Sequence, residues 1–134
     1  MRSKKLLAII LVILSITMIS QFTVNAADAS IMWVQTSYTI NGLTVDGNEL
    51  CVQGGTFGDF GVDSCYIIAV LQRKSGSSWV TQKSWVETAN NDYVALTEYV
   101  TVSAGSYRLY TYHGVTNNGY TEASTMVSPT RIVY

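Results

Sequence analysis

The chain has 134 residues, of which 48% are hydrophobic and 13% charged, and its formal net charge is −1. This length is typical of one compact domain. The near-neutral charge argues against a nucleic-acid partner, because binding to a phosphate backbone requires clustered lysine and arginine. With one proline and nearly half of its residues apolar, the chain is not a linker or a disordered segment either.

Residues 1–26 have the organisation of a secretory signal peptide. Three basic residues among the first five precede an apolar run over residues 6–19, and a polar stretch then ends in small residues. We expect cleavage after Ala26, with cleavage after Ala29 as the alternative. A retained membrane anchor is the competing interpretation, but polar residues interrupt the run, and a spanning helix needs roughly 20 predominantly apolar residues. The sequence therefore predicts a secreted protein, not stably inserted in the membrane after cleavage, with one domain over residues 27–134.

Cys51 and Cys65 are the two cysteines of the chain, so only one intramolecular pairing exists. In an exported domain of this size, a disulfide is the default interpretation. Closing a loop of about 15 residues would contribute roughly 3 kcal/mol in the chain-entropy model. The alternatives are a reactive thiol or a metal ligand, but the spacing fits no zinc pattern and His113 is the only histidine. We therefore predict a disulfide and no metal or other cofactor.

Beyond residue 30 the chain is predicted to form a succession of β-strands. β-Branched and aromatic runs alternate with glycine, asparagine and serine, and no run has helical periodicity over three turns. Asn41-Gly42 predicts a break, Asp46-Gly47 predicts a hairpin turn, and residues 54–63 predict a glycine-rich loop. The predicted strands cover residues 32–40 with a continuation over 43–45, then 49–53, 65–73, 79–88, 93–102, 106–113 and 120–127, and the short segment 130–133 is available as an additional edge.

About seven strands at a spacing of roughly 8–12 residues predict an all-β fold, a single antiparallel two-sheet β-sandwich. Residues 102–109 (VSAGSYRL) and 118–124 (NGYTEAS) resemble the E–F corner and the F–G turn with strand G of fibronectin type III and related immunoglobulin-like domains. The resemblance implies that Tyr107 packs inward and that its hydroxyl bonds back to the backbone of the corner. The whole chain is also similar to small secreted sandwich proteins of Gram-positive bacteria without an assigned activity, which implies a bacterial origin.

The most informative side chains are aromatic, because the chain contains three tryptophans and nine tyrosines. Side chains alternate between the two faces of a strand. If Tyr107 faces the core, then Arg108, Tyr110 and Tyr112 line the outside of the sheet. This strand therefore predicts an outer surface with two tyrosines beside an arginine.

The predicted strand over residues 79–88 carries a second aromatic pair. Trp79, Lys83 and Trp85 share one face by the same alternation, opposite Val80 and Val86. The two valines have the character of core residues, so we expect both tryptophans to point outward. A β-bulge in this strand would reverse the assignment.

An exposed aromatic patch usually marks a binding site, because flat rings stack on sugars or anchor a protein partner. The predicted partner is a cell-wall or host glycan, or another surface protein. The competing interpretation is that the rings only stabilise the sheet as cross-strand pairs. A secreted effector or a bacteriocin-like toxin fits the small size and export equally well. The candidate binding residues are Trp79, Lys83, Trp85, Arg108, Tyr110 and Tyr112.

The sequence does not predict an enzyme. His113 near the end of its strand is expected to be a partly exposed sheet residue, and no G-x-S-x-G motif accompanies it. Carboxylate pairs are available, for example Asp59 with Asp63 or Glu98 with Glu122. Nine acidic residues scattered over the chain give such pairs by chance, so they do not indicate a glycosidase-like site.

Overall fold

A computed structural model describes residues 36–134, and the predicted signal peptide lies outside this range. The described residues form eight strands, which confirms the predicted all-β fold of two antiparallel sheets. No helix among them is long and apolar enough to span a membrane. The strands are β1 (Thr36–Asp46), β2 (Glu49–Gly58), β3 (Ser64–Ser75), β4 (Ser78–Ala89), β5 (Tyr93–Thr101), β6 (Gly105–Asn117), β7 (Tyr120–Val127) and β8 (Arg131–Val133).

The two sheets contain three and five strands. The three-stranded sheet has the order β1-β2-β5, and the five-stranded sheet has the order β4-β3-β6-β7. The short strand β8 pairs with the first residues of β6, whereas β7 pairs with the remainder, so both lie along one edge. Pro129 separates them because it has no N–H to donate to the ladder. Ser128 secures this interruption, since its Oγ accepts a hydrogen bond from the backbone N–H of Leu109 at 2.8 Å.

The core lies between the sheets and consists of alternate residues from each strand. In β2, Leu50 and Val52 are fully buried, and Ile67 and Leu71 of β3 face them from the other sheet. Each large aliphatic side chain buried in this way contributes roughly 1.5–3 kcal/mol. The core residues are Leu43, Leu50, Val52, Val62, Cys65, Ile67, Ala69, Leu71, Val94, Leu96, Tyr107, Leu109, Val115 and Val133.

The sequence motifs typical of turns predict the structure correctly where the backbone has a positive φ. The predicted hairpin between β1 and β2 is present, with Asp46 as the last paired residue of β1, opposite Glu49, and Gly47 in the turn at a φ of 58°. The β6–β7 turn contains Asn118 and Gly119, and both have positive φ, which is the requirement of a type I′ turn. The break predicted at residues 41–42 is wrong, since β1 runs through them without interruption.

The glycine-rich loop predicted over residues 54–63 is also wrong for its first half, because β2 continues to Gly58. In this strand the glycines are needed because a larger side chain would collide with a neighbouring side chain. A Cβ on Gly54 would overlap the Ile67 side chain of the opposite sheet, and a Cβ on Gly55 would come within 2.8 Å of the Phe57 ring. These glycines therefore allow close packing on both faces of a regular strand.

Tyr107 stands at the beginning of β6 and is 1% exposed. Its hydroxyl donates a 2.7 Å hydrogen bond to the carbonyl oxygen of Ser103. This is the arrangement that the resemblance to fibronectin type III domains implies for Tyr107, although membership of that family stays a prediction. The bond fixes the corner through which the chain passes from one sheet to the other.

The predicted disulfide is wrong, because both cysteines are free thiols. Cys65 is buried in the core of the five-stranded sheet, against the backbone of Gly58. Cys51 lies seven residues before Gly58 in β2, which is about 23 Å along an extended strand. Its side chain also points outward, since Leu50 and Val52 on either side point into the core. A disulfide needs Cα atoms roughly 4–7 Å apart, so the topology keeps these two side chains from meeting.

Candidate functional site

The direction of the two β4 tryptophans is set by a β-bulge. Leu71 of β3 lies opposite Lys83, whereas the next residue, Gln72, lies opposite Thr81. Gln82 is therefore an extra residue in β4 without a partner. A bulge interrupts the alternation of side chains, so residues at even spacing before and after Gln82 lie on opposite faces of the sheet.

Trp79 consequently lies on the outer face of the five-stranded sheet, and Trp85 does not. Trp85 is paired with the buried Ala69 and packs against the core. Lys83 lies on the same face of the sheet as Trp85, the face toward the core, and its Nζ is 5.2 Å from the centre of the Trp85 ring. The prediction of one outer face for both tryptophans is thus wrong for Lys83 and Trp85. Val86 takes their place outside and is 62% exposed.

Val80, the other valine predicted in the core, is also exposed, at 47%. It lies opposite Arg73 near the β3–β4 hairpin, and Arg73 pairs with the buried Tyr107. Val80 therefore has the predicted inward parity, which agrees with the outward direction of Trp79, although it is not buried. Only Val86, beyond the bulge, has the wrong parity.

The outward residues of β6 are confirmed by the register and by burial. Tyr107 and Leu109 are buried, and Arg108, Tyr110 and Tyr112 alternate with them on the outside. Tyr112 is 41% exposed, and its ring centroid lies 5.8 Å from that of Tyr110. Two neighbouring rings thus form a continuous surface along this strand.

Arg108 joins this surface to Trp79. Its guanidinium carbon lies 4.3 Å from the centre of the Trp79 ring and 5.3 Å from that of Tyr110. Both distances are within the range of cation–π attraction. Arg108 Nε donates a 2.8 Å hydrogen bond to Oε1 of Gln72, which holds the guanidinium plane in position.

Tyr66 of β3 extends the surface at its other end. It lies directly opposite Gly114 of β6, and its ring covers that glycine so closely that a Cβ there would overlap the ring. The glycine thus makes room for an aromatic side chain lying flat on the sheet. Sequence reasoning missed Tyr66, although its alternation with the buried Cys65 and Ile67 would have placed it outside. We call the set Tyr66, Trp79, Arg108, Tyr110 and Tyr112 the aromatic face.

His113 is buried at 1% exposure, contrary to the expectation of a partly exposed residue. It has the same parity as Tyr107, a signal that was present in the sequence. Its Nδ1 lies 2.8 Å from Oγ1 of Thr56, and its Nε2 lies 2.8 Å from Oγ1 of Thr111. Burial lowers the pKa of His113, and a backbone hydrogen bond at Gly55 opposes this only in part.

The neighbours of His113 define its tautomer. Thr56 Oγ1 donates to the carbonyl of Tyr66 at 2.9 Å, so it accepts from His113 Nδ1–H. Thr111 Oγ1 accepts from Asn41 Nδ2 at 2.8 Å, so its proton points to His113 Nε2. The two threonine hydroxyl groups and the imidazole are each used once as a donor and once as an acceptor. The histidine is neutral and connects the two sheets through hydroxyl groups.

The predicted carboxylate pairs are separated by the fold or occupied locally. Glu98 belongs to β5 and Glu122 to β7, which lie in different sheets. Asp59 accepts a hydrogen bond from the Ser37 hydroxyl at 2.6 Å, and Asp63 accepts one from the backbone N–H of Asn118 at 2.7 Å. Within residues 36–134, no group of three or more histidine, cysteine or acidic side chains is placed to hold a metal ion.

A second aromatic cluster lies on the outer face of the three-stranded sheet. Phe57 pairs with Tyr38 on one side and with Tyr93 on the other. The Tyr38 and Phe57 rings are stacked at 4.1 Å with an angle of 8° between their planes. Phe57 and Tyr93 are 6.3 Å apart and also nearly parallel. Sequence reasoning missed this cluster because its members come from three strands whose register was not known.

Comparison with known proteins gives no relative from which a function could be transferred. No protein-family model, no curated protein and no solved structure matches the chain.

Proposed function

We propose that the protein is a secreted, non-enzymatic binding protein and that the aromatic face recognises a glycan. The observation that carries this proposal is the row formed by Trp79, Arg108 and Tyr110, in which the guanidinium lies between two rings and is held by Gln72. These contacts order the three side chains relative to one another. Rigid aromatic side chains lose little conformational entropy on binding, so more of the contact energy becomes affinity.

The chemistry of the row is complementary to a sugar chain. Pyranose rings present C–H groups on their faces and hydroxyl groups at their edges, so they need flat apolar surfaces beside hydrogen-bond donors. The rings of Tyr110 and Tyr112, 5.8 Å apart, supply the flat surfaces. The Arg108 guanidinium supplies N–H donors that fit hydroxyl or carboxylate oxygens. Aromatic side chains with a polar tip are typical of surfaces that bind in this way.

A binding role is further supported by the state of His113. Both of its ring nitrogens are hydrogen-bonded inside the core, where a substrate has no access. A general base must come within hydrogen-bond reach of the proton that it removes.

The proposal is tested by binding to insoluble peptidoglycan and to a glycan array. We expect the wild-type protein to bind, and the double variant Tyr110→Ala/Tyr112→Ala to lose about tenfold in affinity or more, since about 1.4 kcal/mol corresponds to tenfold. The matched control is Tyr99→Ala, which removes a ring that is 63% exposed on the three-stranded sheet. Equal binding by the double variant, or no glycan bound by the wild type, would contradict the proposal.

A further inference from the structure

The outer face of the three-stranded sheet contains a cleft that the proposed function does not use. The cleft has a volume of about 350 Å³ and is lined by Ser37, Tyr38, Phe57, Gly58, Asp92 and Tyr93. This volume lies in the range of small-molecule sites. Tyr38 and Tyr93 are each 55% exposed, so their rings are open to a ligand.

The walls of the cleft are aromatic π faces. Gly55 allows the Phe57 ring to lie along the sheet, because a Cβ at this position would come within 2.8 Å of Phe57 Cε2. The ring then stacks on Tyr38 at 4.1 Å, whereas Tyr93 stands 6.3 Å away. The wider spacing on the Tyr93 side leaves the faces of Phe57 and Tyr93 less covered by one another. Aromatic faces carry negative electrostatic potential, and a cation within about 6 Å of a ring centre is attracted to it.

Asp92 is the one formally charged residue among the six that line the cleft. Asp92 lines the cleft through its position directly before β5, and its backbone carbonyl accepts a 2.7 Å hydrogen bond from Gly58 N–H. The hydroxyl of Ser37 is already donating to Asp59. The cleft therefore combines aromatic π faces with a negatively charged lining residue, a combination that disfavours anions and favours cations.

The loops around the cleft are also negatively charged. Hydrogen bonds join the β2–β3, β4–β5 and β6–β7 connections at this end of the sandwich. These connections contain Asp59, Asp63 and Asp92 but no lysine or arginine. The basic residues of the described chain lie elsewhere. They belong to β3, β4, β6 and β8, where each pairs with Leu71, Tyr107, Gln72 or Trp79 and not with a residue of these loops. The field of the domain thus attracts positive charge to the end that holds the cleft.

We propose that this cleft binds a small organic cation of the quaternary ammonium class, with its methyl groups against Phe57 and Tyr93 and its charge compensated by Asp92. Quaternary ammonium groups are suited to such a site because they carry a charge but no N–H, so they need ring faces rather than a set of acceptors. The proposal does not rest on glycan binding, since the cleft and the aromatic face belong to different sheets.

The test compares choline with 3,3-dimethylbutan-1-ol, a neutral isostere in which carbon replaces the charged nitrogen. Both are titrated into the protein and followed by NMR chemical shifts of the aromatic protons. We expect saturable binding of choline with a dissociation constant on the order of millimolar, and at least about fivefold weaker binding of the isostere. Equal binding of the two would overturn the proposal, because it would identify an apolar groove without cation recognition.

Variants locate the site. We expect Tyr93→Leu to weaken choline binding about fivefold or more and Asp92→Asn to weaken it severalfold, whereas Tyr99→Leu, outside the cleft on the same sheet face, leaves it unchanged. An unchanged amide spectrum establishes that each variant is folded. Unaltered choline binding in both Tyr93→Leu and Asp92→Asn, or no saturable binding of choline at concentrations on the order of 10 mM, would overturn the proposal. The variant Tyr110→Ala/Tyr112→Ala is expected to retain choline binding, so that failure of one site is distinguishable from failure of the other.

Discussion

At the scale of single residues, the hydrogen-bonded chain through His113 connects the two sheets in the middle of the core. It begins at Asn41 of β1, passes through Thr111 and the imidazole, and ends at Thr56 of β2 and the backbone of β3. A buried polar group is tolerated only when its partners satisfy it. Neutral His113 meets this condition. A second proton on the imidazole would turn Nε2 into a donor that points at another donor, the Thr111 hydroxyl group.

This residue predicts how stability depends on pH. The folded state holds the pKa of His113 below its usual value because of burial, so below pH about 6.5 the unfolded chain binds a proton that the folded chain does not. The free energy of unfolding is therefore expected to fall as the pH is lowered from 7 through this range, by at most about 1.4 kcal/mol per pH unit. Urea unfolding at several pH values measures it.

The control for the pH experiment is His113→Gln, which preserves a polar side chain but removes the titration. Carboxylates of ordinary pKa titrate mostly below this range, so the variant is expected to have a flatter profile between pH 7 and about 5.5. Identical profiles in the two proteins would contradict the assignment of a buried neutral histidine.

At the scale of elements, the bulge at Gln82 determines which tryptophan belongs to the binding surface. It allows Trp85 to pack against the core and Trp79 to contact Arg108 within the same strand. Bulges re-aim side chains in this way beside functional sites in many sheets.

Deletion of Gln82 is therefore expected to remove the contact between Trp79 and Arg108. Because Trp85 is anchored in the core, the segment between the hairpin and the deletion is the part that reverses its faces. Nuclear Overhauser contacts between the Trp79 ring and the Arg108 side chain measure the effect, and they should be present in the wild type and in Gln82→Ala. Their persistence in the deletion variant would contradict the role of the bulge.

Most of the fold could be predicted from alternation and turn chemistry. Asp46-Gly47 predicts a hairpin correctly because Gly47 has the positive φ that the turn requires. Gly54 and Gly55 did not give a loop, because their role is to leave room for Ile67 and Phe57. A sequence does not show which neighbour a glycine accommodates until the pairing of strands is known. The same limit applies to the site: the alternation of β6 places Arg108, Tyr110 and Tyr112 correctly and also predicts the buried side of His113, which was wrongly expected to be partly exposed. The bulge in β4 has no sequence signal.

At the scale of the whole molecule, the two sheets present different aromatic surfaces to solvent. The five-stranded sheet carries rings with a central arginine, and the three-stranded sheet carries rings with carboxylates nearby. The basic residues Arg73, Lys74, Arg108 and Arg131 and the acidic loops lie toward opposite ends of the strands. The sandwich therefore holds two chemically distinct surfaces apart on one rigid frame.

Thiol labelling tests this architecture as a whole, since the fold places the Cys51 side chain on the outer surface and the Cys65 side chain in the core. The native protein is expected to react rapidly with one equivalent of a thiol reagent at Cys51, which is half-buried. Burial raises the pKa of the Cys65 thiol, so this residue should react only after unfolding. The variant Cys51→Ser should lose the rapid reaction. A native protein with no reactive thiol, and two after reduction, would indicate the disulfide that the fold argues against.

Glycan binding by the aromatic face is tested by an NMR titration of the ¹⁵N-labelled protein with a soluble peptidoglycan fragment. We expect chemical-shift changes concentrated at the outward residues of β6 and β3 and at the Trp79 indole, with none at Tyr38, Phe57 or Tyr93. Shifts centred on the three-stranded sheet, or no shifts at saturating fragment, would contradict it.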